Sequence, residues 1–227
     1  MTSAEQYFQR SGYWRAWADV PDNTPDISYA MKAVDAADLL ILDVPCGRGR
    51  LLKAVASIAT RATLYGLDVN EATLALLRKD VSRARPACAS IYALPFEDRR
   101  FDVVLCHESF MHFEDPDRAA AELCRVAGDR VYISVTTKRQ LNTLLRRYGM
   151  LGPRDVPHWT YNIEDVVRFM RSDFDWTVTG AFLIGRKALR CSVKTHSFLH
   201  NSFGRWIPQS LLRRFGQTLF LYGKRRR

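Results

Sequence analysis

Two glycines and an aspartate are spaced in a way that suits the binding of a nucleotide-like ligand. An apolar run at 39–42 predicts a buried strand, and it ends in a turn with Gly47 and Gly49 that opens into a helical pattern. Glycines let a backbone bend sharply and approach a ligand, while the helix N-terminus offers N–H groups. Asp68 ends the next apolar run, where such folds put a carboxylate for ribose hydroxyls. A turn that simply needs glycine, and an acid that caps the next helix, are the alternatives.

The turn does not fit the two best-known phosphate-binding patterns. A dinucleotide fingerprint needs a third glycine where this chain has Leu52, so a nicotinamide ligand is disfavoured. A P-loop would need Gly-Lys-Ser/Thr after the turn, and the sequence does not contain it.

The elements around this turn alternate regularly between apolar runs and helical patterns. Such alternation predicts an α/β fold whose parallel sheet is covered by helices on both faces, with ligands bound at the carboxyl ends of the strands. The predicted strands are 39–42, 62–68, 87–91, 101–106, 131–135, 176–184 and 217–222. The predicted helices include 50–59, 70–80, one that starts at Asp115-Pro116 and ends near Gly128, and 162–171.

Four segments in order resemble the class I S-adenosylmethionine-dependent methyltransferases, particularly their small-molecule, quinone and lipid branch. The family's first motif resembles residues 43–49, its ribose-binding acid matches Asp68, and two later stretches resemble 93–104 and 112–116. The resemblance implies a Rossmann-like, seven-stranded, mostly parallel sheet with helices on both faces and an antiparallel edge strand. It also implies S-adenosyl-L-methionine as cofactor; no metal site is expected from the residues.

The resemblance carries a set of cofactor-binding positions onto this chain, with two departures. Pro45 replaces a glycine and cannot donate an N–H. Ser90 stands where the family often has an acid for the adenine amino group, so the backbone of Ile91 is the alternative contact. The expected positions are Asp43, Pro45, Cys46, Gly47, Gly49, Asp68, Val69, Ser90, Ile91, Cys106 and His107.

The chemistry that the resemblance implies is direct displacement of a methyl group by a nucleophile of the substrate. Positioning supplies most of the rate, and a hydroxyl acceptor also needs a base, for which histidine is common. His107, just beyond the fourth strand, is the first candidate, followed by His112 and Glu108, with His158 entering from the substrate side. Each histidine has a structural role as its alternative.

The chain of 227 residues is long enough for one sizeable core. Residues 1–37 predict a helical lid, because Tyr7, Trp14 and Trp17 share one helix face; packing against the domain is the alternative. Residues 38–227 are predicted to form the methyltransferase domain.

No stretch has the length of a membrane span and the N-terminus is polar, so a cytoplasmic protein is expected. The five cysteines lack metal-ligand spacing, which favours reduced thiols over zinc or disulfides.

The positive charge of the chain lies in its C-terminal part. Eleven Arg and Lys residues and no acidic residue lie between 186 and 227, against a net charge of +10 for the whole chain. Basic and apolar residues interleave in an insertion at about 186–215, which suits an anionic, lipid-like substrate or peripheral contact with a membrane; a solvated surface over core residues is the alternative. The last four residues, 224–227, are expected to fray.

Three functions remain open at this point. A methyltransferase could act on a hydrophobic or anionic small molecule, such as a quinone precursor, a lipid, or a lipid-linked or phosphorylated glycan, with O-methylation as one form. A non-catalytic protein could keep the nucleoside pocket and recruit nucleic acid or membrane through its basic end. A nucleic-acid methyltransferase is less favoured, because the Asn/Asp-Pro-Pro-Tyr/Phe signature of many amino-group methylases is missing from the sequence.

Overall fold

The computed structural model describes residues 1–12, 24–137, 148, 156–181 and 206–227. Its strands are β1 Leu40–Asp43, β2 Thr63–Asp68, β3 Ala84–Cys88, β4 Phe101–Cys106, β5 Ala127–Thr136, β6 Phe174–Ala181 and β7 Thr218–Arg225. Its α-helices are α1 Ser3–Arg10, α2 Pro25–Met31, α3 Arg50–Ile58, α4 Glu71–Asp80, α5 Pro116–Val126, α6 Ile163–Phe169 and α7 Gln209–Phe215. A short 3₁₀ helix, Phe110–His112, follows β4.

The seven strands form a single sheet in the order β3-β2-β1-β4-β5-β7-β6. Neighbours from β3 through to β5 pair in parallel, whereas β7 pairs antiparallel with both β5 and the edge strand β6. The predicted seven-stranded, mostly parallel fold with an antiparallel strand pair at one edge is therefore confirmed. The carboxyl ends of β2, β1 and β4 lie next to one another, so residues that follow these strands meet at one edge of the sheet.

The core has two halves, one on each face of the sheet. On one face, aromatic side chains such as Phe101, Phe110 and Phe169 form a fully buried cluster under α5 and α6. On the other face, Leu52 of α3 and Leu77 of α4 pack against the strands. Apolar residues at helical spacing in α3 and α5 thus cover both faces, which is why the sheet can be parallel at its centre.

Two predicted boundaries were wrong. The third strand begins at Ala84 and ends at Cys88, so Ser90 and Ile91 lie in the loop that follows it. Gly128 does not end a helix, because α5 stops at Val126 and β5 begins at once. A Cβ at Gly128 would come within 2.8 Å of the carbonyl oxygen of Arg99, so glycine is needed there for close packing of backbones.

The expectation of a frayed C-terminus was also wrong. Strand β7 runs to Arg225, whose guanidinium donates to the carbonyls of Cys124 and Ala127 and pairs with Asp173 at 2.5 Å. Arg226 pairs with Asp175 at 2.7 Å. Arg225 and Arg226 are held in place because carboxylates at the start of β6 and carbonyl oxygens where α5 meets β5 contact them.

Parts of two predicted regions lie outside the described residues. Trp14 and Trp17 of the aromatic stripe belong to the undescribed stretch 13–23, and 186–205 of the basic insertion belongs to 182–205. The described end of the insertion contains α7, where Leu212 is buried and Arg213 and Arg214 are exposed. No helix in the described part of the chain has both the length and the apolar character needed to cross a membrane.

Candidate active site

The glycine turn between β1 and α3 has two residues in the left-handed region, Gly47 with φ 51° and Gly49 with φ 86°. The Val44–Pro45 peptide that leads into this turn is cis. A Cβ at Gly47 would meet nothing within 4 Å, whereas one at Gly49 would overlap Cδ1 of Leu77 in α4. Glycine at 47 therefore leaves open space beside the backbone, and glycine at 49 lets α4 pack against the turn.

Asp68 at the end of β2 joins the glycine turn to the start of α4. Its Oδ2 accepts from the Gly47 amide and its Oδ1 from the Asn70 amide, both at 2.9 Å. Burial raises the pKa of Asp68, although these amide hydrogen bonds favour the carboxylate. Asn70 takes the role of helix cap that had been the alternative for Asp68, since its side chain accepts from Ala72 and Thr73.

Asp43 ends β1 beside this carboxylate and is 2% exposed. Burial and then the negative charge of Asp68 raise the pKa of Asp43 well above its ordinary range, while Arg50 opposes the shift. The edge of the sheet thus contains two acidic side chains from neighbouring strands; backbone amides bind Asp68, and the charge of Arg50 favours the ionised form of Asp43.

These residues line a cavity of about 220 Å³ at the carboxyl edge of the sheet. Val69 and Ile91 provide apolar wall beside Asp68, and Phe8 and Phe113 provide aromatic wall. The predicted residues that line the cavity are Asp43, Pro45, Cys46, Gly47, Asp68, Val69, Ile91, His107, Glu108 and His112.

Four predicted site residues do not line this cavity: Gly49, Ser90, Cys106 and His158. Cys106 is 0% exposed and belongs to the apolar core, and burial raises the pKa of its thiol well above the ordinary value. The assignment of Cys106 to the cofactor site is therefore corrected by its position inside the sheet. Gly49 lets α4 pack against the turn, and the Ser90 hydroxyl donates to Glu5, which itself lines the cavity.

His107 follows β4 and is 8% exposed, with both ring nitrogens in hydrogen bonds. Nε2 lies 3.1 Å from Oδ2 of Asp26, and Nδ1 lies 3.2 Å from the Tyr132 hydroxyl. Because a carboxylate only accepts, Nε2 donates to Asp26; at Nδ1 a neutral ring accepts from the Tyr132 hydroxyl and a protonated ring donates to it. In this arrangement neither nitrogen is available to a substrate unless one of these contacts breaks.

Asp26 on α2 contacts the site through His107 and was not among the predicted site residues. Thr24 is the N-cap of α2, and the Asp26 carboxylate instead contacts His107 and Arg50, the latter at 2.5 Å. Burial would raise the pKa of Asp26, but the hydrogen bond and charge of His107 and the charge of Arg50 hold that pKa below its ordinary value. No local pattern could have revealed this pairing, since the two partners lie far along the chain.

Glu108 is the next residue of the cavity wall and has φ 51°, which is unusual outside glycine. Its amide donates to Oγ of Ser134 at 2.6 Å, and no hydrogen bond joins its carboxylate to another described side chain. Burial raises the pKa of Glu108, His107 and Arg50 oppose that shift, and Asp26 adds to it. A strained, half-buried acid of raised pKa is typical of functional sites.

His112 and His158 lie side by side where the 3₁₀ helix meets the segment before α6. Nδ1 of His112 donates to the Pro157 carbonyl at 2.6 Å, and its ring lies 4.7 Å from that of Phe8 and 5.5 Å from that of His158. Nε2 of His158 is buried and has no hydrogen-bond partner among the described residues. These contacts bring His112, but not His158, to the cavity.

Helix α1 covers one side of the cavity with Glu5 and Phe8. The side-chain amide of Asn70 donates to the Phe8 carbonyl at 2.8 Å, and the Glu114 carboxylate accepts from the Ala4 backbone amide at 2.8 Å. Glu5 was not predicted as a site residue. Thr2 and Glu5 form a capping box, so the sequence pattern marks the start of α1, but it does not reveal that Glu5 is buried over the cavity.

Comparisons with known proteins agree with this architecture. Residues 42–133 match a family model described as a methyltransferase domain. A ubiquinone biosynthesis O-methyltransferase of Pseudomonas fluorescens is 29% identical over 177 residues, which are 73% of this chain and 73% of that protein. An uncharacterized methyltransferase of Schizosaccharomyces pombe is 28% identical over 142 residues, 57% of this chain and 48% of that protein, so the chain spans about half the length of this relative.

The fold also matches solved structures. The magnesium protoporphyrin IX methyltransferase of Synechocystis, crystallised with S-adenosylhomocysteine, superposes with a TM-score of 0.67 at 18% identity and covers 98% of both chains. At this identity the likeness establishes the fold alone. The family match over 42–133, the glycine turn, Asp68 and the order of the strands agree with one another: this part of the chain matches a methyltransferase domain, and its strand order is the one expected from the resemblance to class I, S-adenosylmethionine-dependent methyltransferases.

Proposed function

We propose that this chain transfers a methyl group from S-adenosylmethionine to a hydroxyl oxygen of a hydrophobic or anionic small molecule, with a quinone precursor as the first choice. The observation that carries the proposal is that one cavity is lined both by Gly47 and Asp68, which follow β1 and end β2, and by Glu108 and His112, which follow β4. A nucleoside-binding end and an end with titratable and aromatic side chains are what methyl transfer to a phenolic hydroxyl needs. The similarity to a ubiquinone biosynthesis O-methyltransferase supports this acceptor class.

The residues around the cavity fit this cofactor. Asp68 would accept hydrogen bonds from ribose hydroxyls, and the apolar side chains of Val69 and Ile91 would flank the adenine. The open space beside Gly47 gives room for close approach of a ligand to the backbone. Bound there, S-adenosylmethionine supplies an electrophilic methyl group on its sulfonium centre.

Glu108 is the best candidate for the base that takes the hydroxyl proton. Its carboxylate lines the cavity, and burial moves its pKa upward, towards the range in which a carboxylate is an effective base near neutral pH. His107 had seemed the stronger candidate from sequence, but its Nε2 is bound to Asp26 and its Nδ1 to Tyr132. We assign His107 the task of holding α2 against β5, next to Glu108.

His112 and the aromatic side chains Phe8 and Phe113 form the wall against which an aromatic acceptor would rest. Holding an acceptor in line with the methyl group accounts for roughly 7–11 kcal/mol of the barrier in well-oriented reactions. Exclusion of water by α1 would strengthen the electrostatic effect of Glu108 on the hydroxyl. Exposed Arg213 and Arg214 on α7 favour an acceptor, or its surroundings, that carries negative charge.

The experiment is transfer of a labelled methyl group from S-adenosylmethionine to catechols that differ in their tails: polyprenyl, carboxylate, phosphate or none. We expect transfer to at least one tailed catechol, with the label on oxygen. Glu108→Gln should lower turnover by about 10²- to 10⁴-fold without loss of affinity for S-adenosylhomocysteine. Glu164→Gln, an exposed acid on α6, is the matched control. Retained turnover in Glu108→Gln would refute the assignment of the base, and label on nitrogen or carbon alone would refute O-methylation.

A further inference from the structure

Glu5 is an acidic side chain that α1 buries over the cavity, and the methyl-transfer chemistry does not use it. We propose that the Glu5 carboxylate accepts a hydrogen bond from the exocyclic amino group of the cofactor's adenine, so that α1 both covers the cofactor and reads its base. This inference rests on the proposed cofactor. It adds a determinant of specificity that lies outside the sheet domain.

The first observation is the position of the carboxylate. Glu5 is 6% exposed and lines the same cavity as Ile91 and Ala89, which lie in the loop after β3. Its Oε1 accepts from Oγ of Ser90 at 2.5 Å, so the carboxylate is tied to that loop. A buried acid at a ligand cavity is costly unless it is paired, which makes a ligand donor the natural additional partner.

The second observation is the distribution of acids along the sheet edge. The strand order β3-β2-β1-β4 puts Asp68 on β2, Asp43 on β1 and Glu108 after β4. A ribose held at Asp68 leaves the base on the side of β3, because the other direction leads to Glu108 and the reacting end. Of the described acidic residues that line the cavity, Glu5 is the one whose carboxylate is hydrogen-bonded to the β3 loop.

The third observation is that Ser90 is a poor acceptor for a base. Its hydroxyl proton is directed to Glu5, and its oxygen already accepts from the Tyr92 amide at 3.1 Å. The carboxylate of Glu5 accepts from Ser90 at Oε1 and from the Thr2 amide at Oε2 at 3.1 Å, and two oxygens with about four lone-pair sites leave further capacity. A hydrogen bond to an ionised acceptor is also stronger than one to a neutral hydroxyl.

A purely structural role is the alternative, because Glu5 completes the capping box of α1 with Thr2. Glutamine at this position still forms a capping box, so Glu5→Gln keeps the start of the helix. The amide, however, has a single acceptor oxygen, which the Thr2 amide occupies, and its NH₂ group would face the adenine amino group as donor to donor. Glu5→Gln therefore separates the two roles.

The test measures binding of S-adenosylhomocysteine and of S-inosylhomocysteine, in which an oxygen replaces the adenine amino group, by calorimetry. The wild-type chain should prefer the adenine ligand by tenfold or more, since the carboxylate would repel the oxygen. Glu5→Gln should lose most of this preference and should melt at nearly the same temperature without ligand. Glu71→Gln, which removes an exposed acid from the first turn of α4, is the matched control and should keep the preference.

Glu5→Gln/Ser90→Asp gives the rescue, because it moves the carboxylate from the helix to the loop beside it. This double variant should regain the preference for the adenine ligand. An unchanged preference in Glu5→Gln, or an equal loss of both affinities, would overturn the proposal and leave Glu5 as a helix cap. Failure of the wild-type chain to bind either ligand would instead overturn the proposed cofactor.

Discussion

The pKa values of the acidic side chains around the cavity depend on burial and on the groups in contact with them. Burial raises the pKa of Asp43, Asp68 and Glu108, whereas Asp26 has a lowered pKa because His107 and Arg50 contact it. The difference follows from partners: amide groups offset only part of the desolvation of Asp68, while a histidine and a guanidinium outweigh the desolvation of Asp26. Glu108 lies beside this pair with its carboxylate directed by an unusual backbone conformation.

The raised pKa of Glu108 predicts how the stability of the protein depends on pH. The pKa of Glu108 in the folded chain is above the ordinary value of 4.5. Its contribution to stability is therefore fully present below pH 4.5, where the side chain is protonated, and is lost as the pH rises through the folded-state pKa. Glu108→Gln should therefore melt higher than wild type at pH 8 and about equally at pH 4. Each 1 kcal/mol of destabilisation that the substitution removes should raise the melting temperature by about 2–4 °C in a chain of this size.

Thermal melts of wild type, Glu108→Gln and the surface control Glu164→Gln at the two pH values check this prediction. A variant that melts higher at pH 8 and yet turns over more slowly would show that Glu108 serves function at the expense of stability. A lower melting temperature of Glu108→Gln at pH 8 would mean that the carboxylate is stabilised by its surroundings, against the direction of the pKa given above.

Residue-level prediction from the sequence succeeded where a local pattern fixes the position. The glycine turn and Asp68 could be found because a strand, a turn and a helix follow one another in sequence, and the cavity contains Gly47 and Asp68 as expected. Asp26 and Glu5 could not be found, because their partners His107 and Ser90 are distant in sequence and only the folded chain brings them together. The capping box with Thr2 explains Glu5 locally and does not reveal its contact with Ser90.

At the scale of elements, α1 is attached to the sheet domain by a few polar contacts from three loops, those that contain Asn70, Ser90 and Glu114. The side-chain amide of Asn70 donates to the Phe8 carbonyl at 2.8 Å and to the Gln9 carbonyl at 3.3 Å. At the other end of the helix, the Glu114 carboxylate accepts from the Ala4 backbone amide. A helix of 8 residues has little stability of its own, so these contacts and the packing of Phe8 on His112 keep it in place. We propose that α1 belongs to the lid predicted for residues 1–37 and lies over the bound cofactor.

Asn70→Ser tests the attachment of α1. Serine still caps α4 but lacks the amide donors, so α1 should loosen while the sheet domain keeps its stability. Hydrogen exchange in 3–10 should become faster, and S-adenosylhomocysteine should dissociate about tenfold faster in stopped-flow measurements, as expected for loss of one or two hydrogen bonds. Asn70→Asp, which also keeps the cap but puts a carboxylate against the α1 carbonyls, should give a larger effect in the same direction. Unchanged exchange and dissociation in both variants would show that α1 is not held through Asn70.

Strands and helices were predictable where hydrophobic periodicity was strong, as in α3, α4 and β4. The run 224–227 was misjudged because a series of basic residues looks like a solvated tail until Asp173 and Asp175 are found opposite it across the sheet. Gly128 was misjudged because a glycine after a helix usually ends it, whereas here it lets β5 pass close to the Arg99 carbonyl. In each case a contact between distant segments overrode a local rule.

At the scale of the whole molecule, the carboxyl edge of the sheet carries two chemically different groups of residues. Asp68 and the glycine turn lie towards β3, and Glu108 and His112 lie towards β4, in the order that the strand sequence dictates. The alternation of strands and helices was sufficient to predict this edge, because right-handed crossovers leave little choice of topology. The positive residues of the C-terminal part have two different environments. Arg225 and Arg226 form ion pairs at the sheet edge, whereas Arg213 and Arg214 on α7 are exposed.

The most direct test of the central claim is calorimetric titration of wild type and Asp68→Asn with S-adenosylhomocysteine. The account predicts saturable binding of one molecule per chain, and a loss of tenfold or more in Asp68→Asn because a neutral amide replaces the acceptor for the ribose hydroxyls. The variant should remain folded, since its remaining side-chain oxygen can still accept from the Gly47 or Asn70 amide. No heat of binding to the folded wild-type chain at millimolar ligand, or equal affinity in Asp68→Asn, would contradict the account.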